Sequence, residues 1–194
     1  MDPDSGAVTL TDSLTALYTK SVFLAVLEKE IHRSNRFGHP FALILLDVDQ
    51  LPEINATLGD GVGDRVLERI GIGVRSYFRE TDWVARTSGS TFAVLLPETE
   101  AATAERLAEG VRAMIGHRLH FEDHLSGEQF PVTVSVGLVL AQLMDRSNSA
   151  EHLVADARAA VERAKWKGRN RVEQVEVTKR AARPVPPRAD ASMA

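Results

Sequence analysis

A chain of 194 residues that is 44% hydrophobic and 26% charged has the material for one domain with a real core and a tail. Its net charge of −4 divides into +3 on residues 178–194 (Lys179, Arg180, Arg183 and Arg188 against Asp190) and −7 on the rest, an acidic body that excludes nucleic acid as a charge-matched partner. The absence of cysteine excludes disulfides, thiolate metal sites and a cysteine nucleophile; the acidic N-terminus lacks the apolar run of a signal peptide, and runs such as Phe41–Leu46 are too short to cross a bilayer, so a cytoplasmic chain with no membrane partner is expected.

Residues 1–11 read as a polar lead, followed by a short apolar patch at Leu14, Leu17 and Tyr18. Phe23, Leu24, Leu27, Ile31 and Phe37 fall at helical spacing, and Gly38-His39-Pro40 stops that helix. Phe41–Val48 is a continuous apolar run of the length of a buried central strand. A short helix is predicted over 51–58, stopped by Gly59-Asp60-Gly61, and a longer one is marked by Val62, Val66, Leu67, Ile70, Val74 and Phe78. Trp83–Thr87 and Phe92–Leu96 read as strands of a hairpin turning at Ser88-Gly89-Ser90. A helix over 100–116 follows, then a polar stretch at 117–130 suited to a loop or small hairpin, and a strand over Pro131–Leu140. A helix over Ala150–Lys167 ended by Gly168 and a last strand over Arg171–Val177 complete residues 12–177. The tail 178–194, with Pro184, Pro186 and Pro187, reads as disordered. A lone strand, a hairpin and further alternation fit an α+β fold of the ferredoxin-like type, a mostly antiparallel central sheet flanked by helices; the central hairpin argues against a doubly wound parallel sheet.

Asp47 and Asp49 stand at the C-terminal end of the first long strand, on one face of it, where carboxylates are well placed to hold Mg²⁺ under nucleotide phosphates. A polar strand terminus explains the two acids equally well. The wider constellation is more specific: Asp12-Ser-Leu14-Thr15-Ala16-Leu17-Tyr18, Asp47-Val-Asp49, Asn55, Gly63-Asp64, Arg86-Thr-Ser88-Gly89-Ser90-Thr91-Phe92, Lys165 and Gly168-Arg169-Asn170, in this order and at this spacing. From about Asp12 to Val172 it resembles the GGDEF family, diguanylate cyclase domains that join two GTP molecules into cyclic di-GMP. The resemblance implies a nucleotide-cyclase palm fold, with Ala16 where the entry motif usually has glycine.

The departures bear on chemistry. The five signature positions read Ser88-Gly89-Ser90-Thr91-Phe92, so both acids are missing and only one glycine and Phe92 are kept. In the family the third signature position holds the metal together with the equivalent of Asp47. A serine hydroxyl is a neutral, weaker ligand for a hard dication, and losing half the charged ligands is expected to cost orders of magnitude in rate. Pro52 stands where the resemblance places a phosphate-binding lysine, and proline offers neither charge nor N–H. The resemblance assigns guanine reading to Asn55 and Asp64 and terminal phosphates to Lys165 and Arg169; cations at a helix end also suit the dipole without any ligand. These four residues imply a vestigial GTP site, with Mg²⁺ needed only if GTP binds, and Asp47 as its vestigial metal ligand.

Arg79-Glu80-Thr81-Asp82 matches the family's R-x-x-D inhibitory site, which binds cyclic di-GMP. Arginine can donate to guanine O6 and N7, and aspartate can accept from N1 and N2; a surface ion pair is the alternative reading of the same two residues. Where the family often adds an arginine after the hairpin, this chain has Gly110, and Arg106 or Arg112 are the candidate substitutes. His117, His120 and His124 carry no ligand motif and are expected to be solvent-exposed. The chain opens almost at the family's boundary, so dimerisation is expected to come from the domain, a ligand or another protein. The expectation is a catalytically inactive cyclic di-GMP receptor; a degenerate GTP-binding or protein-interaction module is the alternative, and an active cyclase recruiting Asp49 the least favoured.

Overall fold

In the computed structural model the described residues are 9–122, 127, 129–141 and 149–177. The predicted tail 178–194, His124 and most of the lead 1–11 lie outside them. The described part is a six-stranded mixed sheet with helices on both faces, plus a two-stranded hairpin.

The first elements are β1 (Tyr18–Thr19) and helix α1 (Lys20–Phe37). Helix α1 buries Phe23, Leu27 and Ile31, one stripe at four-residue spacing. It ends at Gly38, whose φ of 75° lets its N–H bond Ser34 O, a left-handed cap that glycine adopts without Cβ strain. Strand β2 (Phe41–Val48) follows, then α2 (Leu51–Leu58) and α3 (Asp60–Tyr77). The hairpin of β3 (Trp83–Ser88) and β4 (Thr91–Leu96) leads to α4 (Ala101–Arg118). Then come the small hairpin β5 (His120–Glu122) and β6 (Gln129–Pro131), strand β7 (Val134–Ala141), α5 (Ala150–Trp166) and β8 (Val172–Val177).

Strand order is β1-β3-β4-β2-β7-β8. The β3–β4, β4–β2 and β2–β7 ladders are antiparallel, and the two outer pairings, β1–β3 and β7–β8, are parallel. Strand β2 is central, and the residues of its two faces go to different cores. Ala42, Ile44, Leu46 and Val48 pack in the core that holds Val66, Ile70 and Val74 of α3 and Ala104, Ala108 and Val111 of α4. Phe41, Leu43 and Leu45 pack with Phe23, Leu27 and Ile31 of α1 and Leu153, Ala157 and Val161 of α5. Burial on both faces explains why β2 is apolar throughout rather than alternating. Helix α5 sits so close to β7 that a Cβ at Gly137 would collide with the Ala157 carbonyl.

Two expectations needed revision. The run Pro131–Leu140 is not one strand: Gln129–Pro131 pairs with His120–Glu122, and only Val134–Ala141 enters the main sheet. The break lies at Val132 and Thr133, where Val132 N–H bonds Leu119 O and Thr133 O accepts from Asp49 N–H. Tyr18–Thr19, read only as an apolar patch, adds a parallel edge to β3 opposite Ala85 and Arg86. The left-handed Ala16 (φ 57°) sets up that edge, which accounts for the glycine usual at this position.

Candidate functional site

The C-terminal end of β2 and the β3–β4 turn meet. In register Asp47 pairs Thr91 on one side and Ser135 on the other. Asp47 Oδ2 accepts from Ser90 Oγ at 3.1 Å and Thr91 Oγ1 at 2.9 Å, and Thr91 Oγ1 in turn accepts from Ser88 Oγ at 2.9 Å. Asp47 Oδ1 lies 2.8 Å from Lys165 Nζ on α5, which also pairs Glu162 at 3.3 Å. Burial pulls the Lys165 pKa down, but the bond and charge of Asp47, aided by Glu162, outweigh it and hold the ammonium above the usual lysine range. One carboxylate is thus bonded by two hydroxyls and one cation.

Asp49 lies on the same face, as alternation predicted, but is only 4% exposed and has a different set of partners. Its oxygens accept from Thr133 Oγ1 and Ser135 Oγ, both at 2.7 Å, and from Asn170 N–H at 3.2 Å. These bonds join the end of β2 to β7 and to the turn after α5. That turn carries Arg169 and Asn170 in left-handed conformation, at φ 61° and 46°. Asp49 is therefore engaged as a structural acceptor by three donors. No cluster of three or more His, Asp or Glu suited to a metal occurs among the described residues.

Asn55 on α2 packs against Gly63 on α3, where a Cβ would strike its side-chain oxygen; that Oδ1 is buried without a hydrogen-bond partner. Asp64, one residue on, is exposed. Pro52 opens α2 in its first turn, a position that needs no N–H. Phe92 is fully buried in the core, so the last signature position is kept as an anchor. Arg86 ties the turn to the N-terminal motif: it donates to Gly89 O at 3.1 and 2.8 Å, and to both oxygens of Asp12 at 3.1 and 3.3 Å. Burial of Asp12 opposes ionisation, yet bonds from Thr15 and Arg86 prevail and lower its pKa.

The Arg79–Asp82 segment is a tight turn between α3 and β3. Arg79 N–H bonds Asp82 Oδ2 at 3.0 Å, and Asp82 N–H bonds Arg79 O at 3.1 Å. The Arg79 side chain is exposed and makes no hydrogen bond among the described residues, whereas Asp82 is 7% exposed. Burial pushes the Asp82 pKa up against the Arg79 N–H bond and the charges of Arg79 and Arg75. The two residues are held by the turn's backbone, not by a surface ion pair between their side chains.

Neither candidate substitute for the arginine absent at Gly110 reaches this turn. Arg112 is bonded to Glu109 and, at 2.6 Å, to Asn170 Oδ1; Arg106 folds back on Ala102 O and Thr103 Oγ1. Position 110 is itself closed, because a Cβ there would collide with the Tyr77 hydroxyl. Sequence reading missed that ring, as it missed the Asp47–Lys165 pair and Arg75. Arg75 stands one helical turn before Arg79, a spacing that could have flagged it. His117 and His120 are exposed.

A mixed six-stranded sheet with a central antiparallel hairpin, acids at the end of β2 and helices on both faces is the architecture of an α+β nucleotide-cyclase palm. Residues 9–171 match the family model described as diguanylate cyclase, GGDEF domain, and the chain belongs to the GGDEF family. It is 35% identical over 164 residues to the diguanylate cyclase DgcP of Pseudomonas aeruginosa, covering 84% of this chain and 24% of that protein. It is 31% identical over 163 residues to the response regulator PleD of Caulobacter vibrioides, covering 84% and 35%. The chain thus spans about a quarter to a third of the length of these relatives. Among solved structures, the GGDEF domain of DgcB from Caulobacter crescentus, in complex with cyclic di-GMP, superimposes with a TM-score of 0.79 at 25% identity, covering 87% of this chain and 96% of that one. The diguanylate cyclase SiaD of Pseudomonas aeruginosa, in complex with its activator SiaC, gives 0.77 at 32% identity, covering 86% and 62%. No helix among the described residues is long and apolar enough to cross a membrane.

Proposed function

We propose that this domain is a catalytically silent GGDEF domain that acts as a cyclic di-GMP receptor through Arg79 and Asp82. The observation that carries the reading is the Arg79–Asp82 turn. It presents an unengaged guanidinium and a buried carboxylate with one oxygen, Oδ1, free of hydrogen bonds among the described residues. A guanine matches that pair, its O6 and N7 accepting from arginine and its N1–H and N2–H donating to aspartate. The complex of the related DgcB domain with cyclic di-GMP supports the ligand class.

The signature end supports silence. A metal there would have Asp47 as its sole signature-site carboxylate, and Lys165 already neutralises it at 2.8 Å. Ser90 and Thr91 offer neutral oxygens whose hydrogens point to Asp47. This donor set does not fit Mg²⁺, which prefers carboxylates in near-octahedral array, so no phosphoryl-transfer step is assigned to the site.

A second reading rests on Asn55, whose buried oxygen lacks a partner beside exposed Asp64. With Lys165 and Arg169 these residues form the remnant of a GTP site, and under this reading GTP, or a protein as in the SiaD–SiaC complex, is the regulating partner. Calorimetry separates the readings. Cyclic di-GMP should bind with micromolar or tighter affinity and lose binding in Arg79→Ala. GTP binding sensitive to Asp64→Ala, with no response to cyclic di-GMP, would favour the second. Synthesis of cyclic di-GMP from GTP and Mg²⁺ would refute silence.

A further inference from the structure

Helix α5 turns its apolar residues inward: Leu153, Ala157, Ala160, Val161 and Ala164 are buried. Trp166 breaks that pattern. It closes the helix at 88% exposure, the most exposed large apolar side chain among the described residues. Its ring meets no aromatic or cationic group among them, and its indole N–H has no acceptor there. The helix phase explains the placement: Ala164 points into the core and Lys165 to Asp47, so the next residue faces solvent. The domain's own packing has no use for a tryptophan at this position. Tryptophan and arginine are the side chains most enriched where protein interfaces concentrate their binding energy.

The surroundings of Trp166 are cationic. Residues 162–173 carry Arg163, Lys165, Lys167, Arg169 and Arg171 against Glu162 and Glu173, a net of +3 in a chain of net −4. Lys165 pairs Asp47, and Lys167 pairs Glu173, each at 2.8 Å. Arg163 and Arg171 meet no carboxylate among the described residues. Arg163 makes one long bond, 3.4 Å, to Gln174 O, and Arg171 Nε donates to Arg169 O at 3.3 Å. Arg171 reaches back to the end of α5, where its Nη2 would lie 3.6 Å from a Cβ on Gly168. Arg163 and Lys167 stand one helical turn apart beside Trp166. A helix C-terminus carries only about half a negative charge, so the dipole accounts for a small part of this surplus.

We propose that the end of α5 and the α5–β8 turn form a docking surface for an acidic segment of a partner protein, with Trp166 inserted into the partner and Arg163, Lys167 and Arg171 pairing its carboxylates. Charge complementarity selects the anionic partner. An anionic membrane fits less well. Glu151 and Glu162 are exposed on the same outward side of α5, so a helix laid on lipid would press two carboxylates against it. The indole also stands alone, where lipid binding needs a wider apolar face; a protein pocket takes a single indole and can ring it with acids. Lys165 and Arg169 of the nucleotide remnant are not part of this surface. It uses neither Arg79 nor Asp82 and requires no nucleotide, so it stands apart from both readings above.

The probe is a random copolymer of glutamate and tyrosine, titrated into the full chain without nucleotide. The sequence has two tryptophans, so in Trp83→Phe the fluorescence reports Trp166 alone. Calorimetry compares the unmodified chain with Trp166→Ala and with the triple variant R163A/K167A/R171A. The expected result is a blue shift of Trp166 emission, binding that weakens as salt rises, about tenfold or greater weakening in Trp166→Ala, and loss of binding in the triple variant. Trp166 makes no contact that its removal would break, so Trp166→Ala should melt at the temperature of the unmodified chain. The basic residues 178–194 are kept in every variant; attraction to them alone would leave Trp166→Ala within about twofold of the unmodified chain, which overturns the proposal, as does no binding at all. Vesicles of equal parts phosphatidylcholine and phosphatidylglycerol that shift Trp166 emission where the copolymer does not would overturn it in favour of lipid. A dimer in sedimentation velocity that Trp166→Ala dissolves would overturn it in favour of a second copy.

Discussion

Replacing Asp49 by alanine should be the most damaging single change at the C-terminal end of β2, although Asp49 is not assigned to any ligand. Its carboxylate accepts from two hydroxyls at 2.7 Å and one backbone N–H at 3.2 Å, at 4% exposure. Hydrogen bonds to a charged group are each worth about 1.5–3 kcal/mol, but Thr133 is only part-buried and can find water, so the three do not add fully. Ser135 is wholly buried and would be left holding an unsatisfied hydroxyl. The expected loss is about 3–5 kcal/mol, a third or more of the stability of an ordinary domain. Asp49→Asn keeps one acceptor oxygen and should lose about half as much. Urea unfolding followed by circular dichroism reads this as a lower midpoint at unchanged slope. A loss under about 1 kcal/mol for Asp49→Ala would refute the view that this acid ties β2, β7 and the α5–β8 turn together.

Three further outcomes are expected. Ala16→Gly relieves a left-handed alanine (φ 57°) and should raise stability by about 0.5–1 kcal/mol, a melting temperature higher by a few degrees; a lower one would show that Ala16 is not strained. Asp82 has a pKa raised above the ordinary 3.8, chiefly by burial, so it keeps its proton over a window where an unfolded aspartate has lost it. Its contribution to stability is therefore present below 3.8 and lost as pH rises through the folded value, whereas cyclic di-GMP binding needs the ionised form and should weaken as pH falls through that same window. Titrations at stepped pH, with Asp82→Asn as the pH-insensitive control, would expose a wrong assignment as equal pH dependence in both proteins. Gly110→Arg must displace Tyr77 and should cost about 1–3 kcal/mol, read by thermal melting, with Tyr77→Ala in the same chain recovering part of it.

Local patterns carried most of the fold. The apolar run Phe41–Val48 announced a strand buried on both faces because its neighbours on either face, α1 with α5 and α3 with α4, are themselves amphipathic. The hairpin at 83–96 and the helices read correctly for the same reason. What failed depended on partners distant in sequence. Tyr18–Thr19 is too short to show a period and becomes a strand only by lying beside Ala85 and Arg86. The break at Val132–Thr133 is set by Leu119 O and Asp49 N–H, which no window of sequence around Pro131 contains. At the site, motif spacing placed Asp47, Asn55, Asp64, Arg79 and Asp82 on the right elements. It gave no hint that Asp49 and Asp47, two residues apart, take entirely separate partners, or that Tyr77 fills the space above Gly110.

The signature end also makes a prediction about charge balance. With serine and threonine at positions 90 and 91, Asp47 is the acid that meets the turn, and its counter-ion is Lys165, which it shares with Glu162. A divalent cation entering here would have to displace Lys165 from 2.8 Å and leave that ammonium beside a doubly charged ion, an arrangement the neutral hydroxyls cannot offset. Millimolar Mg²⁺ should therefore leave the melting temperature unchanged. Lys165→Met removes the counter-ion from a carboxylate that is only 14% exposed and should destabilise by about 1–2 kcal/mol, less than a fully buried pair because Lys165 retains some solvent contact. In that variant alone, Mg²⁺ should restore stability, since an uncompensated Asp47 then has room for a cation. Stabilisation of the unmodified chain by Mg²⁺, to the same extent as the variant, would mean that the lysine yields readily and that the loss of the signature acids has not closed the site to metal.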